Sequence, residues 1–252
     1  MKDIALFEYD SEQSAVVDPK HEGFDLKLPE VCVFAFVGDT VDDFAKEYNA
    51  RIEQRFISIT KIYPVYVLEY GGREICLCQA PCGAAPATQI MDWLIAYGVK
   101  TMISTGSCGV LRDIPENAFL LPYKALREEG TSFHYLPPAR YVDLDERFLE
   151  RVESFLKAHG IAYERCVTWT TDGFFRETKK KVTRRLAEGC SCVEMECSAL
   201  AACAEFRGIK FAQILFTADS LHSIDSYDER GWGAKSLKPA LKLAMDIASE
   251  IE

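Results

Sequence analysis

Short apolar runs alternate with amphipathic stretches along this chain. Residues 31–37 are fully apolar and end in Gly38-Asp39-Thr40, which predicts a buried strand, a turn and a helix start. The strand-like runs 63–70 and 73–81 flank Gly71-Gly72, and this arrangement predicts a β-hairpin.

The rest of the chain continues the alternation. Helices are predicted over residues 85–97, 144–159, 178–187, 197–207 and 235–251, and strands over 101–105, 163–170, 191–194 and 211–217. Regular alternation predicts an α/β fold with a mostly parallel sheet and helices on both faces. Because no linker or internal repeat interrupts it, residues 1–252 are interpreted as one domain.

The composition of the chain argues against several classes of protein. The chain has 252 residues, 48% of them hydrophobic, which is enough for a continuous core. We expect a cytoplasmic protein with no membrane contact, since no signal-like start or apolar run of about 18 residues occurs. A net charge of -10 argues against nucleic acid as a partner.

The ten cysteines lie mostly in apolar segments, which indicates reduced, buried thiols rather than a disulfide framework. Without a Cys-x-x-Cys pair, and with four histidines in total, no metal site is predicted. The basic run 179–185 recurs at helical spacing and is interpreted as a solvated face.

Candidate chemistry falls at predicted strand ends, where ligands of α/β sheets bind. Glu194-Met195-Glu196 follows the strand at 191–194, and on an extended chain both carboxylates would point the same way, toward hydroxyl donors such as a sugar edge. The alternative is that they are acids favoured by the first turn of a helix.

Gly106-Ser107-Cys108-Gly109 supplies backbone N–H groups after a strand and predicts a small anion nest, or else simply a tight turn. Covalent catalysis by Cys108 is disfavoured because no histidine is near it in sequence. His134 and His222 are possible proton carriers, although a lone histidine is more often structural.

Asp219 ends an apolar strand, where a raised pKa would suit a general acid; the alternative is a cap or turn aspartate. After Asp172, Phe174 and Phe175 stand beside Arg176 and Glu177. This group is suited to stacking on a flat heterocycle and bonding its edge, or equally to a core with a local ion pair.

In this order the motifs resemble the nucleoside phosphorylase superfamily, which includes purine nucleoside and uridine phosphorylases and adenosylhomocysteine nucleosidases. The resemblance runs from about residue 31 to 210 and beyond, and its most specific string is Val193-Glu194-Met195-Glu196. It implies a three-layer α/β/α fold around a mixed central sheet, and a homo-oligomer (dimer or hexamer) in which a neighbouring chain completes each site.

The resemblance also implies roles for individual residues. Met195 and Glu196 would hold the ribose with Glu194 beside them, Phe174 would stack near the base, and Asp219 would protonate a purine leaving group. Arg176 and Glu177 are the remaining candidates for contact with the base. The segment 128–135 is more like that of the uridine enzymes, so the sequence does not choose between purine and pyrimidine.

Phosphate binding is where the chain departs from the resemblance. Two positions that carry arginine in the phosphorylases are Asp42 and Ser104 here, and a third, lent by the neighbouring subunit, falls near Lys61. Losing two bidentate cations is a large change, since each contact contributes roughly 1.5–3 kcal/mol.

The sequence therefore predicts an N-glycosyltransferase of the phosphorylase type, with inorganic phosphate as co-substrate and no cofactor. The phosphate would bind at Gly38 and at the Ser107 and Cys108 backbone, helped by Lys61, Arg51 or Arg140. Two alternatives stay open: a nucleosidase that uses water, and a nucleoside-binding protein without turnover.

Overall fold

Ten strands form one mixed sheet in the computed structural model, which describes residues 4–251. The strands are β1 (Val31–Phe36), β2 (Arg51–Ile57), β3 (Ile62–Tyr70), β4 (Arg73–Gln79), β5 (Thr101–Val110), β6 (Phe119–Glu128), β7 (Tyr141–Asp143), β8 (Glu164–Thr171), β9 (Cys190–Glu194) and β10 (Lys210–Ser220). The helices are α1 (Thr40–Glu47), α2 (Ala84–Ala96), α3 (Glu146–Ala158), α4 (Lys179–Ala187), α5 (Cys197–Arg207) and α6 (Leu237–Glu250).

The sheet follows the order β10-β6-β8-β9-β5-β1-β4-β3-β2, and β10 also pairs with β5. Strands β5, β9, β8, β6 and β10 therefore form a closed ring of pairings. The pairs β1–β4, β1–β5, β5–β10, β6–β8 and β8–β9 are parallel, and the others are antiparallel. The predicted α/β class with a mixed central sheet is confirmed.

Helices cover the sheet in two groups. Helix α2 packs on α5, while α1 and α3 both pack on α6. The main core lies between these helices and the central strands, where Phe34, Met102 and Leu94 are fully buried. None of the helices described is long and apolar enough to span a bilayer.

Most predicted elements are present. The hairpin of β3 and β4 turns at Gly71 and Gly72, with φ values of 60° and 79° that glycine adopts without strain. Helix α5 begins and ends where it was predicted. Strands β2, β6 and β7 were not predicted: β2 is a largely exposed edge strand, and β6 carries Pro122 and a charged end.

Two sequence interpretations need correction. Strand β5 does not break after Thr105 but continues to Val110, so the glycine-rich string is strand rather than turn. The basic run is only partly a solvated face, because Arg185 is 7% exposed. Its guanidinium donates to Glu128 and Glu188 and lies over the Trp169 ring. Among the cysteines, nine side chains are buried and Cys82 is exposed.

Candidate active site

A cleft of about 460 Å³ opens at the carboxyl ends of β1, β5, β9 and β10. Two connecting segments also line it: the 3-10 helix Phe174–Arg176, through Phe174, and the loop that carries Trp232. The predicted candidates from four separate segments, Ser107, Glu177, Glu196 and Asp219, are thereby brought to one place.

Strand β5 changes partners at the floor of this cleft. It pairs with β1 as far as Gly106 and with β9 from Gly109 onward. Between them, Ser107 and Cys108 have no strand partner on that edge and line the cleft, while their other edge pairs with β10. The predicted turn is wrong, but the string still faces the cleft, because two neighbouring strands separate there.

The glycines of this string serve close packing. A Cβ at Gly106 would lie 2.9 Å from the Cβ of Phe36. At Gly109 it would lie 2.9 Å from Leu221 and 3.1 Å from the carboxylate of Asp219. A side chain at either position would displace residues around the cleft.

Glu194 ends β9 with both carboxylate oxygens occupied. Oε1 accepts from the hydroxyls of Thr168 (3.1 Å) and Thr170 (2.6 Å), and Oε2 accepts from the N–H groups of Glu196 (2.7 Å) and Cys197 (2.6 Å). Burial, with the nearby charge of Glu196, raises its pKa to about 8. Glu194 thus holds the turn from β9 into α5.

Glu196 is the residue before the first turn of α5, with φ -137° and ψ -29°. Its Oε1 accepts from the N–H of Gly83 at 2.5 Å, and burial raises its pKa to about 7. The expectation that Glu194 and Glu196 share one side of an extended strand is wrong, because the chain turns between them. Met195, between them, is half-buried, and its sulfur lies 3.8 Å from the Cys82 thiol.

Asp219 lies near the end of β10 and is buried. Its Oδ2 accepts from the Tyr227 hydroxyl at 3.1 Å. Burial raises the pKa of Asp219, while the hydrogen bond from Tyr227 and the charge of Arg230 oppose the rise. The environment of Asp219 is that of a carboxyl that can hold a proton.

Only some of the residues after β8 that were expected to contact a base line the cleft. Phe174 and Glu177 line the cleft, and burial together with the charge of Asp219 raises the pKa of Glu177 to about 7. Phe175 is 93% exposed, and Arg176 is exposed and does not line the cleft, so contact of Arg176 with a base is not supported. Asp172 accepts from the N–H of Gly130 at 2.9 Å.

Most predicted phosphate ligands lie elsewhere. Gly38 is exposed and outside the lining, and Lys61 donates to the Gln79 side chain at 2.7 Å. Arg51 pairs with Glu53 and Glu74, and Arg140 pairs with Glu188. These four residues contribute nothing to the lining within one copy of the chain.

Carboxyls dominate the charge of the cleft. Glu177, Glu194, Glu196 and Asp219 line it, whereas no Lys, Arg or His from residues 4–251 does so. His134 lies in the 3-10 helix Thr131–His134, on a separate pocket, and an exposed His222 is also outside the lining.

Ser104 faces Gln213 in the β5–β10 register, and both are buried. Within the described chain, neither Ser104 Oγ nor Gln213 Oε1 has a hydrogen-bond partner, and Gln213 lines the cleft. Asp42, the other substituted position, accepts from the Tyr66 hydroxyl at 2.8 Å. The uncharged amide oxygen of Gln213 therefore lines the cleft beside Ser104, the position at which the resemblance implies an arginine.

The sequence did not indicate that several further residues line the cleft, notably Cys82, Gln213 and Trp232. Gln213 sits inside a strand that was otherwise interpreted as apolar core. Trp232 follows a polar stretch with no periodic pattern, and the pair of glycines around it, Gly231 and Gly233, is the one local signal of a special backbone.

An α/β sheet with a strand-end cleft of buried carboxyls is typical of enzymes that act on small molecules. The model of the Phosphorylase superfamily matches residues 30–242. The chain belongs to this superfamily, whose members include phosphorylases and nucleosidases.

Individual relatives are distant. Uridine phosphorylase from Vibrio fischeri has a TM-score of 0.74 at 23% identity, covering 93% of each chain. The 5′-methylthioadenosine/S-adenosyl homocysteine nucleosidase of Campylobacter jejuni has a TM-score of 0.72 at 14% identity, covering 88% of this chain and all of that one. Guanosine phosphorylase from Halorubrum lacusprofundi is 21% identical over 212 residues, 79% of this chain and 86% of the relative.

Proposed function

We propose that the cleft breaks the N-glycosidic bond of a ribonucleoside and releases the free base. The proposal is carried by two buried carboxyls with raised pKa values, Asp219 and Glu196, that line one cleft from different strand ends. Burial that raises the pKa of a carboxyl makes it better suited to give a proton to a leaving group, and this is the role proposed for Asp219.

Asp219 is the proposed acid. When the bond between C1′ and the base breaks, its electron pair goes to the base, and a proton from Asp219 neutralises the nitrogen. Tyr227 holds this carboxyl in place through its 3.1 Å hydrogen bond. Phe174 offers a ring for stacking near the base, and Glu177 offers a polar contact for its edge.

Glu196 is the proposed partner of the ribose. Its carboxylate can accept hydroxyl hydrogens and favours positive charge that develops on the sugar ring. Met195 lies beside it at the cleft surface. Since both oxygens of Glu194 accept from protein donors, its proposed part is to position the turn that carries Glu196.

Water is the proposed acceptor: its oxygen bonds to C1′, one of its protons restores the protonated Asp219, and the products are base and free ribose. No Lys, Arg or His among the lining residues described would pair with a phosphate dianion, and any lining carboxyl that is ionised would repel it. Water carries no charge, and the unpartnered amide oxygen of Gln213 in the lining suits an uncharged donor.

Phosphorolysis is the second candidate, as the sequence predicts, and the distant relative that is a guanosine phosphorylase favours it. It requires a cation from outside the single chain. Lys61 is exposed on the turn between β2 and β3 and donates to an uncharged amide, so in a homo-oligomer it can serve a neighbouring copy. Phosphate would then meet the free edge of β5 at Ser107 and Cys108.

A purine is the proposed base, because the acid Asp219 suits protonation of a purine nitrogen. The segment that is similar to the uridine enzymes has structural contacts instead: Glu128 pairs with Lys181 and Arg185, and Glu129 accepts from Ser132 and Ser198. No cofactor is required for this reaction.

Chromatography of a mixture of adenosine, inosine, guanosine, uridine and thymidine, with and without phosphate, tests the proposal. Base released at the same rate in both, together with free ribose, supports hydrolysis. Release that depends on phosphate, with ribose 1-phosphate formed, replaces it with phosphorolysis. Base or nucleoside that binds without any release overturns both and leaves a binding protein.

A further inference from the structure

Trp232 stands out among the aromatic residues at the cleft. It is 49% exposed, lines the cleft and has a φ of +55°. A bulky side chain with positive φ is an outlier that persists only when its surroundings impose it. An exposed ring held in this way indicates a function for its position.

Glu116 and Asn117 impose this backbone conformation. Oε1 of the half-buried Glu116 accepts from the N–H groups of Gly231 and Gly233, each at 2.9 Å, and so holds the backbone on both sides of Trp232. The next residue, Asn117, donates its N–H to the Thr217 carbonyl of β10 and accepts from the Ser236 hydroxyl at its side chain, both at 2.9 Å.

The loop that carries Trp232, residues 221–233, is also connected to the proposed acid, Asp219. Backbone bonds join Ser220 and Asp228 in both directions. The Tyr227 ring lies 6.4 Å from that of Trp232, and its hydroxyl donates to Asp219. Trp232 is therefore fixed on the part of the cleft that carries the acid.

We propose that Trp232 is an aromatic wall of the base subsite, stacks on a purine ring, and is kept in position by Glu116. This inference rests on the proposed function, since it requires that the cleft accept a nucleobase. Stacking on an indole ring covers more of a two-ring purine than of a pyrimidine, so the wall favours purines.

The protein suits a direct test, because it has three tryptophans and the other two, Trp93 and Trp169, are 2% and 0% exposed. Adenine and uracil are titrated into the full chain, with affinity measured by calorimetry and contact by tryptophan emission. Adenine is expected to quench the wild-type emission and uracil to bind more weakly.

In Trp232→Phe the adenine-dependent quench should disappear while most affinity remains, whereas in Trp93→Phe the quench should remain. Trp232→Ala should weaken adenine binding roughly 10- to 100-fold and uracil binding less. Glu116→Ala should increase the quenching of Trp232 by acrylamide and weaken adenine binding, while Glu229→Ala, an exposed acid between β10 and α6, should do neither.

The outcomes separate the wall from the reaction. Adenine that binds wild type but retains its affinity in Trp232→Ala, or its quench in Trp232→Phe, overturns the wall and leaves bond cleavage intact. Failure of wild type to bind any base overturns the wall, while base release in the chromatographic test decides separately whether bond cleavage stands. A folded Glu116→Ala with unchanged acrylamide quenching and affinity removes Glu116 from the proposal.

Discussion

The two ends of the cleft are built in different ways. At the sugar end, Glu194 and Glu196 lie in one short segment, and Glu194 holds that segment through N–H groups two and three residues further along the chain. At the base end, Asp219 and Trp232 depend on Tyr227 and Glu116, and Glu116 is more than a hundred residues distant from the loop it holds.

The two ends of the cleft should therefore respond differently to mutation. Hydrogen bonds within the segment, together with those from Thr168, Thr170 and Gly83, hold the sugar end at several points, so single changes there should alter chemistry more than position. At the base end the backbone around Trp232 is held by one distant carboxylate, that of Glu116, so a single change there should alter position as well.

The sharpest test of the base end is Asp219→Asn, which keeps size and removes the proton. We expect kcat/KM for base release to fall about 1,000-fold, since general acid catalysis contributes roughly 10²–10⁴. Asp225→Asn, an exposed acid in the segment after β10 that pairs with Lys179, is the control and should retain activity. A loss below 10-fold would remove Asp219 from the proposed mechanism.

At the sugar end, Glu196→Gln should lower kcat/KM roughly 100-fold without displacing the segment, because the amide oxygen can still accept from Gly83. Comparing a ribonucleoside with its 2′-deoxy analogue sharpens the test. Wild type should prefer the ribonucleoside, and the variant should lose most of that preference. An unchanged preference would contradict contact between Glu196 and the ribose hydroxyls.

Gly233→Ala tests the tether. Gly233 has φ +65°, and a Cβ there would lie 2.8 Å from the buried Phe216 ring. We expect a loss of about 2 kcal/mol in the free energy of unfolding, from strain and overpacking together. Gly160→Ala has nearly the same φ, +66°, with open space around it, and should lose about 1 kcal/mol. Equal losses would show that the contact with Phe216 is unimportant.

Stability against pH is the smallest expected effect. The pKa values of Glu194 (about 8), Glu196 and Glu177 (about 7) are raised from 4.5, so the folded protein binds more protons than the unfolded chain between these values. The contribution of these groups is complete below pH 4.5 and is lost as pH rises through 7–8. We expect Tm to fall between pH 5 and 8.

Glu194→Gln should flatten that dependence, since its amide does not titrate and can still accept from the turn. Calorimetric scans of both proteins in matched ionic strength provide the measurement. A Tm that rises over the same interval in wild type would mean that these carboxyls are ionised on folding.

The sequence predicted the sugar end of the cleft better than the base end, because the residues of the sugar end are contiguous in the chain and those of the base end are not. Val193-Glu194-Met195-Glu196 is contiguous, and its strand and helix have clear periodicity, so α5 was placed at its observed bounds. Trp232 and Glu116 are joined only by folding, and neither lies in a periodic segment. Strand β6 was missed because its neighbours β8 and β10 follow it in the sequence, and its own pattern is interrupted by Pro122.

The closed ring of β5, β9, β8, β6 and β10 has a consequence for motion. Asp219 lies at a register irregularity of β10 between Thr217 and Ser220, but each strand of the ring has a partner on both sides, so these strands cannot separate without breaking two ladders. Their amides should exchange hydrogen only in near-global unfolding, whereas amides of residues 172–178 and 221–233 should exchange by local opening. Entry and exit of a ligand would then be timed by those two segments while the carboxyls stay fixed.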